Sequence, residues 1–136
     1  MRKAVDFLII GSGIAGLTYA LKVAHKGKVC IVTKSAMDDT ATSWAQGGIA
    51  AVMYNPDTYE KHVRDTIIAG DGLCNEEVVR FTIEESTDRI RELVQWGAEF
   101  DKTDTGRYDL AKEGGHSEYR VLHHKDSTGR EIENTL

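Results

Sequence analysis

The run Gly11-Ser12-Gly13-Ile14-Ala15-Gly16 constrains this chain more than any other feature, because it follows one apolar stretch and opens another of different period. Val5 to Ile10 is apolar at almost every position, as suits a central parallel strand buried on both faces. From Ile14 the spacing changes: Ile14, Leu17, Leu21 and Ala24 recur three and four residues apart, and Lys26-Gly27 supplies a basic last turn and a stop. Val29 to Val32 then gives a second β-branched run. Strand, helix and strand thus fit within about thirty residues, the length of one crossover unit. Each glycine between them has a mechanical task. Gly11 permits a tight turn, Gly13 lets backbone approach a pyrophosphate, and Gly16 lets the helix pack on the sheet. Phosphates placed there meet unsatisfied amides and the positive end of the helix dipole.

Which dinucleotide would bind is normally settled by an acid at the end of the second strand that grips the ribose hydroxyls. Here the chain reads Ile31-Val32-Thr33-Lys34, so simple NAD binding loses ground. Lys34 either contacts an adenosine ribose or phosphate or is a solvated strand-end lysine. Residues 35–48 then lose all periodicity and end in Gly47-Gly48, a loop of a length that is usually functional or disordered. Its second half offers hydroxyls, an amide and paired glycines that can lie along a flat ring. Trp44 and the apolar Ile49 to Val52 imply that the segment buries itself.

Further along, Asp57 with Glu60 reads as a capping box for a helix whose face is Tyr59, Val63, Thr66 and Ile67 and which stops near Gly70. Asn75 opens a stretch running through Val79, Ile83, Ile90, Leu93 and Val94 to Gly97, either one long helix or two short ones parted near Ser86-Thr87. Phe100-Asp101 and Tyr108 to Leu110 flank a turn-forming Lys102 to Gly106, which reads as a short hairpin. A helix begins at Ser127. The segment Leu110-Ala111-Lys112-Glu113-Gly114-Gly115-His116-Ser117 sets a carboxylate beside two glycines, which is either a ligand contact or a solvated loop acid. His116, His123 and His124 have no standard metal-ligand spacing.

Composition narrows the class. With 40% apolar and 29% charged residues in 136, the chain is at most one ordinary domain. Residues 61–136 hold 11 basic and 17 acidic side chains, so there is no clustered basic footprint for nucleic acid. The longest apolar run near the start, Phe7 to Ile10, is far short of the roughly 18 to 20 residues a membrane span needs, and no secretory signal precedes it. Cys30 and Cys74 stand alone, as reduced thiols of a cytoplasmic protein do.

Taken in order, several segments resemble one family, the L-aspartate oxidases, flavoproteins of the succinate dehydrogenase and fumarate reductase group. They are the Gly11 to Gly16 turn, Trp44-Ala45-Gln46-Gly47-Gly48-Ile49-Ala50, His62-Val63-Arg64-Asp65-Thr66 with Ala69-Gly70-Asp71-Gly72-Leu73-Cys74, Glu113-Gly114-Gly115-His116-Ser117, and Asp126-Ser127-Thr128-Gly129-Arg130-Glu131. The resemblance implies an α/β, Rossmann-like FAD-binding domain. It would have a parallel sheet, an N-terminal βαβ unit, further helices and a short hairpin, and be incomplete in this chain. Residues 1–136 would then be the N-terminal part of that domain, with capping and C-terminal helical domains lying elsewhere.

It further implies FAD held by Gly11, Ser12, Gly13, Ile14, Ala15 and Gly16 at the pyrophosphate, by Lys34 near the adenosine end, and by Ala41, Thr42, Ser43, Trp44, Ala45, Gln46, Gly47 and Gly48 along the flavin. The group's flavin-linking His falls at Ala41 here, so the FAD is expected to be noncovalent. Relatives acting on succinate or fumarate tend to carry an apolar aromatic where this chain has Glu113, whose carboxylate would pair with a substrate ammonium and orient L-aspartate. Lys112 departs from the expected Arg but keeps its charge. The implied reaction is oxidation of L-aspartate to iminoaspartate, with oxygen or fumarate as final acceptor, on the quinolinate route to NAD and linked to quinolinate synthase. A soluble fumarate reductase or succinate oxidase, and a nucleotide-binding fragment without chemistry, are the alternatives.

Overall fold

The computed structural model describes residues 3–136. Strand β1 (Phe7–Ile10), helix α1 (Ile14–Val23) and strand β2 (Val29–Val32) form the crossover unit, the two strands pairing parallel with Phe7 opposite Val29 and Ile10 opposite Val32. Asp6 joins its ends, accepting the Lys28 N–H at 2.8 Å. Helix α1 stops at Val23, before the expected Lys26-Gly27, and a Lys26 N–H to Val23 C=O bond closes the turn.

The expectation that β1 is a central strand buried on both faces is not met. Ile9 lies under α1, whereas Leu8 and Ile10, pointing the opposite way in the pleat, are 61% and 85% exposed. Among the described residues β1 has one neighbour, β2, and α1 covers one face of the pair.

Helix α2 (Tyr59–Ala69) starts one residue later than the capping box requires. Thr58 is the cap, its hydroxyl accepting from the Lys61 N–H at 3.2 Å, while Asp57 is engaged elsewhere. Helix α3 (Glu76–Trp96) settles the one-or-two question as one helix. Asn75 caps it, Gly97 in the left-handed region (φ +113°) ends it, and Ser86 and Thr87 lie inside it. Their hydroxyls find carbonyls without breaking the helix: Ser86 donates to Ile83 and Thr87 to Val52, across to the neighbouring segment.

A second, three-stranded antiparallel sheet has no counterpart in the sequence reading. Strands β3 (Ile49–Ala50), β4 (Leu110–Ala111) and β5 (Val121–Leu122) are ordered β3-β5-β4. The hairpin before β4 forms as expected, with Lys102 bridging Tyr108. Helix α4 (Thr128–Thr135) follows Ser127. The core is where α3, β5 and α4 meet: Ala51, Ile90, Leu93, Ala98, Phe100, Leu122 and Ile132. Both cysteines are free. Among the described residues no helix is long and apolar enough to cross a membrane.

Candidate functional site

The glycine turn is built by close approach. Gly11 (φ +106°) donates its N–H to Val32 C=O at 2.8 Å, tying the turn to the end of β2. A Cβ on Gly16 would overlap the Gly11 carbonyl and crowd Ile9, so only glycine lets α1 rise so near the strand. Gly13 caps α1 in an extended conformation with no side chain to satisfy the first amides. That task passes to Thr42, whose hydroxyl accepts the Ile14 N–H at 3.0 Å across 28 residues of sequence. Among the described residues no acceptor takes the N–H of Ala15 or Gly16. Those amides, at the positive end of the helix dipole, make an anion cradle. Ser12 is buried and donates to the Thr33 hydroxyl at 3.3 Å.

A cleft of about 600 Å³ opens beside this turn, walled by Gly11, Ser12, Gly13 and Lys34 on one side and by Asp39, Ala41, Thr42 and Trp44 on the other. The loop wall is shaped by reciprocal bonds in which the Ser43 N–H donates to the Thr40 hydroxyl at 3.0 Å and the Thr40 N–H to the Ser43 hydroxyl at 3.3 Å. Trp44 does not bury itself as its size led us to expect. It is 70% exposed, and its indole N–H reaches Asp39 at 3.3 Å. Hydrogen bonds from Ser35 and Trp44 hold the Asp39 carboxyl below its ordinary value. The apolar end of the segment does turn inward, as β3.

Ser43, Ala45 and Gln46 face a neighbouring cleft of about 270 Å³, together with Asp126 and Arg130. Two glycines clamp the loop from below. Gly129 donates its N–H to Ala45 C=O at 3.0 Å, and a Cβ there would overlap the Thr42 and Ala45 carbonyls. A Cβ on Gly48 would overlap the Leu122 carbonyl of β5. Under the same loop, Glu133 of α4 is buried with neither carboxyl oxygen hydrogen-bonded. Burial raises its pKa and the Asp38 charge adds to this, while the Thr40 hydroxyl opposes them and does not prevail.

Glu113 lies at the far end of the loop, its Oε1 3.5 Å from where a Gly47 Cβ would stand. It begins a β-turn closed by the His116 N–H to Glu113 C=O bond at 3.2 Å, with Gly115 at φ +87° in the position that demands glycine. The turn is pinned by a network absent from the sequence reading. Asp65 Oδ2 accepts from the Ser117 N–H (2.7 Å), the Ser117 hydroxyl (2.8 Å) and Arg120 Nη1 (2.6 Å). Arg120 is fully buried and also donates through Nε and Nη2 to Asp57, at 2.8 and 2.7 Å. This bidentate pair explains why Asp57 does not serve as the α2 cap. A charged residue directly before the apolar Val121-Leu122 was the one available signal.

Burial works to raise the Asp65 pKa, but Ser117 and Arg120 outweigh it and hold the carboxyl at about 2. Arg120 is disfavoured by burial yet shifted up by its two carboxylates. His62, packed against His116 with ring centroids 5.7 Å apart, is brought down to about 4 by burial and then by the Arg120 charge.

The structure therefore brings Gly11 to Gly13, Lys34, Ala41, Thr42 and Trp44 around one cleft, while Ile14, Ala15 and Gly16 lie in the first turn of α1 outside its lining, Ser43, Ala45 and Gln46 face the neighbouring cleft, and Gly47 stands near Glu113. Over residues 6–136 the chain matches a family model described as FAD binding domain. It is 50% identical over 134 residues to the chloroplastic L-aspartate oxidase of Oryza sativa subsp. japonica, covering 98% of this chain and 21% of that protein. With the L-aspartate oxidase of Vibrio cholerae it shares 47% identity over 136 residues, covering 96% and 25%. The chain thus spans about a fifth to a quarter of the length of the curated relatives it matches. Among solved structures it is similar to Mycobacterium smegmatis Sdh1 in complex with UQ1 (TM-score 0.90, 36% identity, 98% of this chain and 23% of that one). It is likewise similar to the E. coli quinol fumarate reductase FrdA (TM-score 0.89, 30% identity, 96% and 23%).

Proposed function

The chain belongs to the FAD binding domain family, and from that membership we propose that the full-length protein oxidises L-aspartate to iminoaspartate, using FAD held without a covalent bond. The observation that carries this reading is Glu113, an exposed carboxylate at the end of the cofactor loop, on a turn fixed by Asp65 and Arg120. FAD, when bound, supplies the acceptor for the hydride leaving the substrate α-carbon and passes the electrons on to oxygen or fumarate.

The chain's own residues do the rest. The Ala15 and Gly16 amides suit the pyrophosphate, and Lys34 at the edge of the cleft suits the adenosine end. Ala41 to Gly48 suit the flavin edge, and Ala41, carrying only a methyl, has no atom that could link to it. Glu113 pairs with the substrate ammonium through charge-assisted hydrogen bonds and so presents the α-hydrogen in one direction. Succinate has no ammonium to offer it, which favours aspartate over a succinate or fumarate enzyme.

In this reading residues 1–136 are the N-terminal part of the FAD-binding domain. The product feeds quinolinate synthesis toward NAD, with quinolinate synthase as the functional neighbour, in the cytoplasm. The test is aspartate-dependent hydrogen peroxide formation or fumarate reduction by the full-length protein loaded with FAD. No activity in either assay, or succinate serving equally well as donor, would sink the reading.

A further inference from the structure

The turn that carries Glu113 ends on a residue whose hydrogen-bonding polarity is fixed from behind. A guanidinium has five N–H donors and no acceptor, so the 3.2 Å contact between Arg120 Nη1 and His116 Nδ1 runs from arginine to histidine. In the neutral ring the proton then resides on Nε2. Arg120 cannot swing away to release this choice, because it is fully buried and held by both Asp57 and Asp65. His116 is half-buried, and among the described residues its Nε2 makes no hydrogen bond.

Glu113 and His116 are the first and last residues of one β-turn, whose end Cα atoms lie within about 7 Å by the geometry of such turns. One end offers an acceptor-only carboxylate and the other an N–H donor. An L-amino acid carries the complementary pair, an ammonium and a carboxylate, on a single carbon. Resting on the reading above that L-aspartate is the substrate, we propose that His116 is a specificity-determining residue whose Nε2–H donates to the substrate α-carboxylate while Glu113 accepts from its α-ammonium. The two ends of the turn then recognise the α-amino acid unit as a whole, and Arg120 sets the ring's polarity.

The test compares His116→Leu, which keeps bulk and loses the donor, with His116→Gln, whose amide N–H can stand near the Nε2 position. Both are made in the full-length protein loaded with FAD. The expected result for His116→Leu is a KM for L-aspartate raised about tenfold or more, the loss of one charge-assisted hydrogen bond, with kcat and the FAD Kd from fluorescence quenching little changed. His116→Gln should recover most of the loss in KM. An unchanged KM in His116→Leu would overturn the inference, as would equal impairment of both variants together with weakened FAD binding, the mark of a merely structural histidine. A wild-type protein that does not oxidise aspartate overturns the reading of the site and this inference with it. Wild-type aspartate oxidation beside an unaffected His116→Leu overturns this inference alone.

Discussion

At the scale of single residues, two carboxylates in one neighbourhood do different work because their surroundings differ. Asp65 is saturated by a backbone amide, a hydroxyl and a buried guanidinium, and it is structural. Glu113 is solvent-exposed on a turn, and among the described residues its carboxylate has no hydrogen-bond partner. Glu113→Gln keeps the shape and removes the charge, so kcat/KM for aspartate should fall about tenfold or more. Fumarate reduction, which involves no substrate ammonium, should fall less. Steady-state assays in both directions decide it, and equal losses would remove the assigned role. Glu113 was visible in the sequence because it stands directly before a glycine pair in a recognisable place. Arg120 and Asp57 were not, since they meet across 63 residues and nothing local announces a buried ion pair. Asp57 was misread for the same reason: an acid near a helix start satisfies the capping pattern whether or not a distant arginine claims it.

Between elements, the 41–48 loop is held by parts far apart in sequence. Thr42 reaches back to cap α1, Gly129 of α4 clamps Ala45, and Gly48 rests on β5. Gly129→Ala places a methyl into the Thr42 and Ala45 carbonyls, and overpacking of this kind typically costs about 1–3 kcal/mol. The full-length protein should therefore show a lower Tm, and a weaker FAD Kd by fluorescence quenching, because the displaced atoms belong to the loop wall. A variant with normal FAD affinity would show that the clamp does not hold the cleft. The crossover unit was legible because its signal is local, a change of apolar period around three glycines. The antiparallel sheet was illegible because its strands have two residues each, too few for any alternation to appear.

For the whole molecule, two buried titrating groups outside the Arg120 pairs, His62 and Glu133, tilt stability in opposite directions as pH changes. The folded-state pKa of His62 is depressed from 6.5 to about 4, so its contribution is present above 6.5 and is lost as pH falls through about 4. Glu133 is raised from 4.5, so its contribution is present below that value and is lost as pH rises through the folded value. Denaturant unfolding of the full-length protein across pH should show both limbs. His62→Leu should flatten the limb that rises with pH and Glu133→Gln the limb that falls, and unchanged slopes in both variants would mean that neither group titrates with folding. The same molecular scale gives the pairing of β3 with β5 a temporal meaning. Ile49 and Leu122 are 73 residues apart, whereas the strands of the crossover unit are joined by one short helix. Contacts that close long loops form late. A growing chain would form its glycine turn early and the floor beneath the 41–48 loop only after α4 has been made. Retention of the proposed FAD would then await the segment from β5 to α4, after the glycine turn itself has folded.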